Sequence, residues 1–199
     1  MSKDLEYAQR LEQLQLVRWK LLLDVQRPYR WNLQRLCQGR VLEVGCGIGR
    51  NLRNLRRLVD APVGVDTNLE SIRIACEQGF RAHAVHEFFD CDASAPESYD
   101  TLLLSHVLEH VTFEECAQLL DLYLPLLVPG GRVVIECPQE AGYSGDPTHI
   151  RWVDFNEARL QCENNGLSVI RQYSYPLPRW AGPAFIYNQF ETLAIKPSE

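Results

Sequence analysis

Short apolar runs alternate with longer segments whose apolar residues recur at helical spacing along most of this chain. Val41, Leu42 and Val44 form the first short run, which is long enough for a strand buried on both faces of a sheet. The later runs are similarly short and are bounded by glycine, proline or polar residues. The pattern predicts strands at residues 41–44, 62–66, 81–88, 100–107, 132–137, 168–175 and 190–196.

The segments between these strands are predicted to be helices. Asn68 and Thr112 each precede such a segment and are residue types that cap helix N-termini. Glu115 stands at the capping-box distance from Thr112. The spacing predicts helices at residues 51–59, 68–78, 112–127 and 154–165, preceded by two N-terminal helices at residues 4–26 and 31–37.

Strands that alternate with helices are typical of a parallel sheet with helices on both faces. The last two predicted strands are joined by a loop rather than by a helix, which favours an antiparallel last strand. The sequence therefore predicts an α/β, Rossmann-like, seven-stranded and mostly parallel sheet. We assign residues 38–199 to this domain and residues 1–37 to an N-terminal helical extension.

Three glycines follow the first strand at alternate positions, namely Gly45, Gly47 and Gly49. Glycine adopts positive φ freely, and its backbone N–H groups can approach a ligand without a Cβ in the way. A strand, a glycine loop and the start of a helix together favour a nucleotide-sized binding corner. A plain tight turn between strand and helix is the alternative.

The spacing of the glycines argues against two common nucleotide sites. The dinucleotide fingerprint needs a glycine where this chain has Arg50 or Leu52, and no Gly-Lys-Ser/Thr follows the loop. Two acids accompany the loop: Glu43 lies inside the first strand and Asp66 ends the second. Asp66 follows Gly45 by 21 residues, a spacing at which a carboxylate can accept both hydroxyls of a ribose.

The segments LEVGCGIGR and VGVD resemble motif I and its successor in class I S-adenosylmethionine-dependent methyltransferases. The resemblance spans about residues 38–196 and implies S-adenosyl-L-methionine as the cofactor. It also implies that an N-terminal extension caps the substrate pocket, although packing or a dimer contact would explain residues 1–37 as well. The cofactor contacts that the resemblance implies in these segments are Glu43, Gly45, Cys46, Gly47, Gly49, Arg50, Asp66 and Thr67.

Two further segments extend the resemblance. In the family, an acid after the third strand binds the adenine amino group, and Asp92 with Ala93 in FDCDAS is the match; a solvated acidic turn is the alternative. SYDTLLLSHVLEHV resembles the subgroup that includes ubiquinone- and menaquinone-biosynthesis methyltransferases. Ser105 and His106 would leave the fourth strand beside the activated methyl group, while Glu109 and His110 would cap the following turn.

Composition sets limits on location. At 199 residues and 46% hydrophobic content the chain can bury one full core. No apolar run approaches the roughly 18 residues of a membrane span, and the N-terminus lacks a signal-peptide apolar region. The seven cysteines include no Cys-x-x-Cys pair, which suits a reducing cytoplasm. We therefore expect a cytoplasmic protein without a membrane partner, and the oligomeric state is left open.

Charge is distributed unevenly along the chain, whose net charge is −6. Residues 1–60 carry 12 Lys and Arg against 6 Asp and Glu, whereas residues 61–199 carry 8 against 20. The basic N-terminal third could meet an anionic substrate or partner, but solvated helix faces are the favoured explanation. An acidic chain without a basic-aromatic motif does not favour nucleic acid as a partner.

The loop at residues 139–154 is the predicted place for substrate contacts, because it leaves the carboxyl end of the fifth strand. It carries Asp146, His149, Arg151 and Trp152. If the methyl acceptor needs a general base, His149 is the first candidate and His106 the second. A histidine that only shapes the loop is the alternative. Because no paired carboxylates suggest a metal site, we expect no Mg²⁺.

The sequence as a whole predicts an S-adenosylmethionine-dependent methyltransferase that acts on a small molecule. Three alternatives stand beside it. The acceptor could be protein or RNA, which the basic N-terminal third would favour. The chain could be a catalytically silent cofactor-binding module. A NAD-dependent oxidoreductase is the least favoured, because Arg50 replaces the third glycine of that fingerprint.

Overall fold

The computed structural model describes residues 26–56 and 62–198, which form a seven-stranded sheet with helices on both faces. The predicted helix at residues 4–26, apart from its last residue, and the end of the one at residues 51–59 lie outside this part of the chain. The strands are β1 (Val41–Val44), β2 (Val63–Asp66), β3 (Arg81–Ala84), β4 (Tyr99–Ser105), β5 (Leu127–Pro138), β6 (Ser168–Tyr175) and β7 (Gln189–Ile195). The helices are α1 (Arg27–Leu36), α2 (Arg50–Leu55), α3 (Leu69–Glu77), α4 (Val85–Phe88), α5 (Phe113–Tyr123), α6 (Glu140–Ser144) and α7 (Phe155–Asn164).

The strand order is β3-β2-β1-β4-β5-β7-β6. Neighbouring strands from β3 to β5 pair in parallel, and β7 pairs antiparallel with both β5 and β6. The predicted mostly parallel sheet with an antiparallel last strand is therefore confirmed. Because parallel strands end at one edge, the segments after β1, β2, β3, β4 and β5 leave the same side of the sheet.

Successive residues of β1 face opposite sides of the sheet, as the two-residue period of a strand requires. Leu42 and Val44 belong to the main core cluster, which includes Leu120 of α5 and Ala158 of α7. Val41 packs on the other face, in the cluster that contains Leu33 and Leu36 of α1. Each face of the sheet is therefore covered by helices, which removes its apolar residues from water.

α1 begins four residues earlier than the predicted helix at residues 31–37. Pro28 lies in its first turn, where the missing backbone N–H needs no partner. The amide of Asn32 donates to Glu191 of β7 at 2.8 Å, and Tyr173 of β6 donates to Asn32 at 2.7 Å. α1 therefore packs on the sheet, although the sequence-based division placed it in the N-terminal extension.

Two predicted elements are shorter in the structure. The predicted strand at residues 81–88 ends at Ala84, and the four residues of α4 follow because a helical turn brings Phe88 into the core. The predicted helix at residues 112–127 ends at Tyr123, since Pro125 cannot continue an α-helix and the chain forms a 3₁₀ turn. The predicted caps are present: Asn68 accepts from Ser71, and Thr112 and Glu115 form the capping box. Among the described residues, no helix is both long and apolar enough to cross a membrane.

Candidate active site

The glycine loop joins β1 to α2 with three residues at positive φ: Gly45 at 77°, Gly47 at 51° and Gly49 at 82°. The backbone N–H groups of Gly45 and Cys46 donate to the carbonyl of Val65, at 2.8 and 3.1 Å, which fixes the loop to the end of β2. A Cβ on Gly45 would lie 2.5 Å from Val107, so this position has room for glycine alone.

Asp66 stands at the carboxyl end of β2, as predicted. One carboxylate oxygen accepts from the backbone N–H of Gly47 at 2.7 Å and the other from that of Asn68 at 2.8 Å. Each oxygen retains a second lone pair, so the half-buried carboxylate can still accept hydroxyl groups. Thr67 follows it and is exposed. Asp66 therefore positions the glycine loop and remains able to accept from a ligand.

Glu43 is buried beneath the start of α2. Asn51 donates to one of its carboxylate oxygens at 2.8 Å, and the other oxygen has no hydrogen-bond partner among the described residues. Burial raises the pKa of Glu43 to about 8, against the hydrogen bond from Asn51 and the charge of Arg50, which lower it. The side chain is therefore largely protonated at neutral pH.

Asp92 and Ala93 lie at the other edge of the sheet. They line a surface cleft of about 270 Å³ together with residues at or beside the amino ends of the first four strands, namely Arg40, Val63, Arg81 and Tyr99. The glycine loop follows the carboxyl end of β1. The structure thus does not bring the predicted adenine-binding pair together with the rest of the cofactor residues.

Glu87 is the acid that the structure places next to the carboxyl end of β3. It belongs to α4, which starts directly after Ala84, and Ala84 pairs with Asp66 in the sheet. Its side chain is 64% exposed and available to a ligand. The signal in the sequence was the first acid after the strand, and it was missed because the strand was extended to residue 88.

Ser105 and His106 end β4 next to β5. The hydroxyl of Ser105 donates to the carboxylate of Glu136 at 2.6 Å, and the backbone N–H of His106 donates to the Glu136 carbonyl at 2.8 Å. His106 has a φ of 57°, a value that residues other than glycine seldom adopt. Such strain is frequent at functional sites.

Glu109 holds the His106 ring. Nδ1 of His106 lies 3.1 Å from one carboxylate oxygen of Glu109, which is fully buried. Burial lowers the pKa of His106, but the hydrogen bond and charge of Glu109 outweigh it and raise the pKa above its usual value. Burial also raises the pKa of Glu109, and His106 more than reverses this shift.

A cavity of about 100 Å³ opens beside His106 at the carboxyl edge of the sheet. Its walls come from α1, α2 and the ends of β4, β5 and β7, and its polar lining includes Arg50, Asn51, Glu136 and Gln189. Of the two predicted catalytic histidines, His106 lines this cavity and His149 does not. The arrangement can hold a small polar molecule between the start of α2 and the end of β5.

His149 lies in the loop after β5, packed against neighbouring aromatic rings. Its Nδ1 is 2.8 Å from the carbonyl oxygen of Tyr143, on whose ring it stacks with a centroid separation of 5.3 Å. The centroid of the His110 ring is 4.8 Å from that of His149. The structure therefore joins both predicted catalytic histidines to one cluster, through Glu109 and His110.

The other residues of this loop have different surroundings. Asp146 accepts from the backbone and hydroxyl of Thr148, at 3.0 and 2.7 Å. Arg151 is nearly buried over the ring of Phe113, and its Nε lies 3.9 Å from a carboxylate oxygen of Glu157; two of its nitrogens have no hydrogen-bond partner among the described residues. Trp152 meets the rings of Tyr143 and Phe190 edge to face. Arg151 and Trp152 therefore support the loop, and their predicted substrate contacts stay predictions.

Comparison with protein families gives one match. A family model described as "Methyltransferase domain" matches residues 21–174 of the chain. A search of curated protein sequences finds no match.

Solved structures share the fold at low sequence identity. The Haloferax volcanii protein that forms a complex with the Trm112 methyltransferase activator has a TM-score of 0.71 and 17% identity, covering 98% of this chain and 96% of its own. A methyltransferase dependent on S-adenosylmethionine from Archaeoglobus fulgidus has a TM-score of 0.61 and 21% identity, covering 89% of this chain and 94% of its own. The N-methyltransferase NodS of Bradyrhizobium japonicum has a TM-score of 0.64 and 16% identity, covering 86% of this chain and 96% of its own. At these identities the likeness concerns the fold.

Proposed function

We propose a small-molecule methyl acceptor for this chain, which belongs to the methyltransferase-domain family and is an S-adenosylmethionine-dependent methyltransferase. The observation that carries the proposal is the cavity of about 100 Å³ beside His106. Its walls approach from α1, α2 and β7, so a small reacting group fits it better than a folded macromolecular segment. The family assignment decides against the NAD-dependent oxidoreductase considered from the sequence.

The cofactor would lie across the carboxyl edge of the sheet. The glycines of the loop after β1 carry no Cβ and so support a close approach by the methionine part, and Asp66 supports acceptance of the ribose hydroxyls. Glu87 replaces Asp92 in this proposal as the acid for the adenine amino group, since it lies in the helical turn that follows Ala84, the residue that pairs with Asp66 in the sheet.

Methyl transfer requires little covalent chemistry from the protein. The sulfonium of S-adenosylmethionine makes its methyl group electrophilic, so the enzyme must align a nucleophile with it and exclude water. Alignment alone can supply on the order of 7–11 kcal/mol. We propose that His106, which lines the cavity, lies nearest the reacting group. The general-base roles of His149 and His106 stay predictions.

Two finer parts of the proposal concern acceptor and location. The segment SYDTLLLSHVLEHV is similar to the corresponding motif of ubiquinone- and menaquinone-biosynthesis methyltransferases. This similarity supports a small-molecule acceptor. The seven cysteines are all free in the structure, which supports a reducing compartment such as the cytoplasm.

A protein or RNA acceptor is the second candidate. Apolar side chains are exposed in the connection between β6 and β7, where Trp180 is 79%, Ile186 54% and Tyr187 45% exposed. Ile186 and Tyr187 also line the cavity. A large partner could cover this surface, and a partner's segment could then reach His106.

The test begins with cofactor binding. Calorimetry with S-adenosylhomocysteine should give a dissociation constant in the micromolar range, about −8 kcal/mol. A methylation screen with labelled S-adenosylmethionine should then label small hydroxylated or amino compounds rather than protein or RNA fractions. Binding without labelling of any acceptor class would favour the silent binding module, and labelling of RNA or protein alone would favour the second candidate.

A further inference from the structure

We propose that Glu109, His110 and His149 form a binding site for a divalent transition-metal ion of the Zn²⁺ type. One ligand atom from each of the three residues lies within 4.8 Å of the other two. Glu109 and His110 come from the turn after β4, and His149 comes from the loop after β5. The backbone ties the two segments together, since the carbonyl of Glu109 accepts from Ile150 at 2.9 Å.

Both imidazoles are held in a tautomer that leaves one ring nitrogen able to bind a metal. Nδ1 of His149 faces the carbonyl oxygen of Tyr143 at 2.8 Å, and Nδ1 of His110 faces that of Thr148 at 3.2 Å. A carbonyl oxygen only accepts, so each Nδ1 carries the hydrogen and each Nε2 keeps its lone pair. The hydroxyl of Thr148 donates to Asp146 at 2.7 Å, so it does not reverse this assignment. Metal-bound histidines are typically oriented by such carbonyl contacts.

The carboxylate of Glu109 supplies an independent indication. Its side chain is fully buried, and His106 contacts one oxygen. The other oxygen has no hydrogen-bond partner among the described residues. The nearby thiol of Cys137 is at best a weak donor to this carboxylate. A buried carboxylate oxygen without a partner is costly, and a cation bound between it and the two rings would satisfy it.

The donor set selects the kind of ion. Two imidazoles and one carboxylate are the protein ligands of many catalytic zinc sites, whereas Mg²⁺ and Ca²⁺ take oxygen ligands. Zinc bonds of roughly 2.0–2.2 Å would require the ligand atoms to move together by about 1 Å. His110 and His149 are half-buried on irregular segments and can make this movement. The sequence-based expectation of no metal rested on the lack of paired carboxylates. A site of two histidines and one carboxylate does not contain such a pair, so that criterion does not detect it.

The decisive experiment measures zinc binding by equilibrium dialysis of the full chain under reducing conditions, without any adenosyl cofactor. Wild type should bind one Zn²⁺ per chain and prefer it to Mg²⁺. His110→Ala and His149→Ala should each weaken binding by at least about tenfold to a hundredfold, the loss seen even for groups that merely support a ligand. Far-ultraviolet circular dichroism verifies that the variants are folded.

Two control variants address other zinc-binding groups. His86→Ala removes an imidazole that is 73% exposed and far from the cluster in sequence, and Cys76→Ser removes an exposed thiol. Neither should change zinc affinity. Unchanged affinity in both cluster variants, or loss in Cys76→Ser, would show that zinc binds elsewhere and would overturn the proposal. Preference for Mg²⁺ would overturn the assigned ion type.

Cobalt provides a second measurement that does not depend on substitutions. Co²⁺ added to wild type should give the visible absorption of a nitrogen- and oxygen-ligated ion without a thiolate charge-transfer band. A thiolate band would assign the ion to a cysteine such as Cys137 and contradict the proposed ligands. Since neither measurement uses the methyl donor, a negative result leaves the proposed methyl transfer untouched, and a failed methylation screen leaves the metal site untouched.

Discussion

Asp66 has two roles, one in holding the glycine loop and one proposed in binding the cofactor, and a single substitution tests the second. Its carboxylate accepts from the backbone of Gly47 and Asn68 and is proposed to accept the ribose hydroxyls. Asp66→Ala removes these acceptors, and hydrogen bonds to a charged group contribute about 1.5–3 kcal/mol each. We expect the affinity for S-adenosylhomocysteine to fall about tenfold to a hundredfold, measured by calorimetry.

The matched control is Asp121→Ala on the exposed surface of α5, which should leave the affinity unchanged. An Asp66→Ala variant that is folded and binds as wild type does would remove Asp66 from the cofactor site.

Glu87 and Asp92 offer a direct comparison of two acids at opposite edges of the sheet. Glu87 follows the carboxyl end of β3, whose last residue pairs with Asp66, whereas Asp92 lines a cleft with Arg81 at the amino edge. Glu87→Ala should weaken S-adenosylhomocysteine binding by about tenfold, the value of one charge-assisted hydrogen bond, while Asp92→Ala should not change it. Calorimetry on both variants gives the answer, and the reverse order of effects would restore the sequence-based assignment.

Glu43 should make stability depend on pH. Burial raises its pKa from the ordinary 4.5 to about 8, so between these values the folded chain holds a proton that the unfolded chain releases. This contribution to the free energy of unfolding is full at low pH and decreases as the pH rises, by up to about 1.4 kcal/mol per pH unit.

Glu43→Gln removes this titration while keeping an oxygen that can accept from Asn51. Urea unfolding across the same pH range should show the variant gaining stability relative to wild type as the pH rises. Parallel pH curves for the two proteins would mean that Glu43 is ionised in the folded state.

A comparison of two glycines separates the effect of positive φ from the effect of the space available to a Cβ. Gly45 and Gly79 both have positive φ, at 77° and 81°, so alanine at either position costs about 1–2 kcal/mol. A Cβ on Gly45 would also lie 2.5 Å from Val107, whereas one on Gly79 would meet nothing within 4 Å. We expect Gly45→Ala to lose about 1–3 kcal/mol more stability than Gly79→Ala, measured by urea unfolding.

The two glycine variants should also differ in cofactor affinity. Gly45→Ala should bind S-adenosylhomocysteine more weakly, and Gly79→Ala should bind as wild type does. Equal losses of stability and affinity would show that φ alone decides both positions.

Element ends were the part of secondary structure that the sequence predicted least well. Strand β3 stops at Ala84 because Phe88 is buried by a helical turn against rings such as Tyr123, a contact between residues far apart in the chain. The helix caps at Asn68 and Thr112, by contrast, were predicted correctly, since a cap depends on residues three or four apart.

The attachment of α1 to the far end of the chain is a property of the whole molecule. Asn32 bridges Glu191 of β7 and Tyr173 of β6, in a buried polar contact that spans most of the sequence. Asn32→Ala would leave the Glu191 carboxylate with fewer donors, at a cost of about 1–3 kcal/mol for each unsatisfied group. Urea unfolding should show a loss of this size.

A double-mutant cycle with Tyr173→Phe identifies the bridge itself. Because the Tyr173 hydroxyl donates to Asn32, the loss of stability in the double variant should be smaller than the sum of the two single losses. Additive losses would indicate that the two side chains act independently and that α1 is held by its apolar contacts with Val41 and Leu103.

The sequence by itself determined the fold class, the glycine loop and the acid at the end of β2. These follow from short-range rules: the period of apolar residues, the conformations open to glycine and the spacing between successive strands. The backbone N–H of Gly47 and the carboxylate of Asp66 meet because β1 and β2 are adjacent parallel strands that end together.

The tertiary structure alone decided what surrounds the end of β4. Glu136 of β5 accepts from the Ser105 hydroxyl and from the His106 backbone, and His149 of the loop after β5 packs against His110, so no local spacing announces these contacts. It likewise placed Asp92 at the amino edge of the sheet, since a helical turn after β3 redirects the chain. Long-range contacts set these positions because side-chain packing, rather than periodicity, determines where an irregular segment lies.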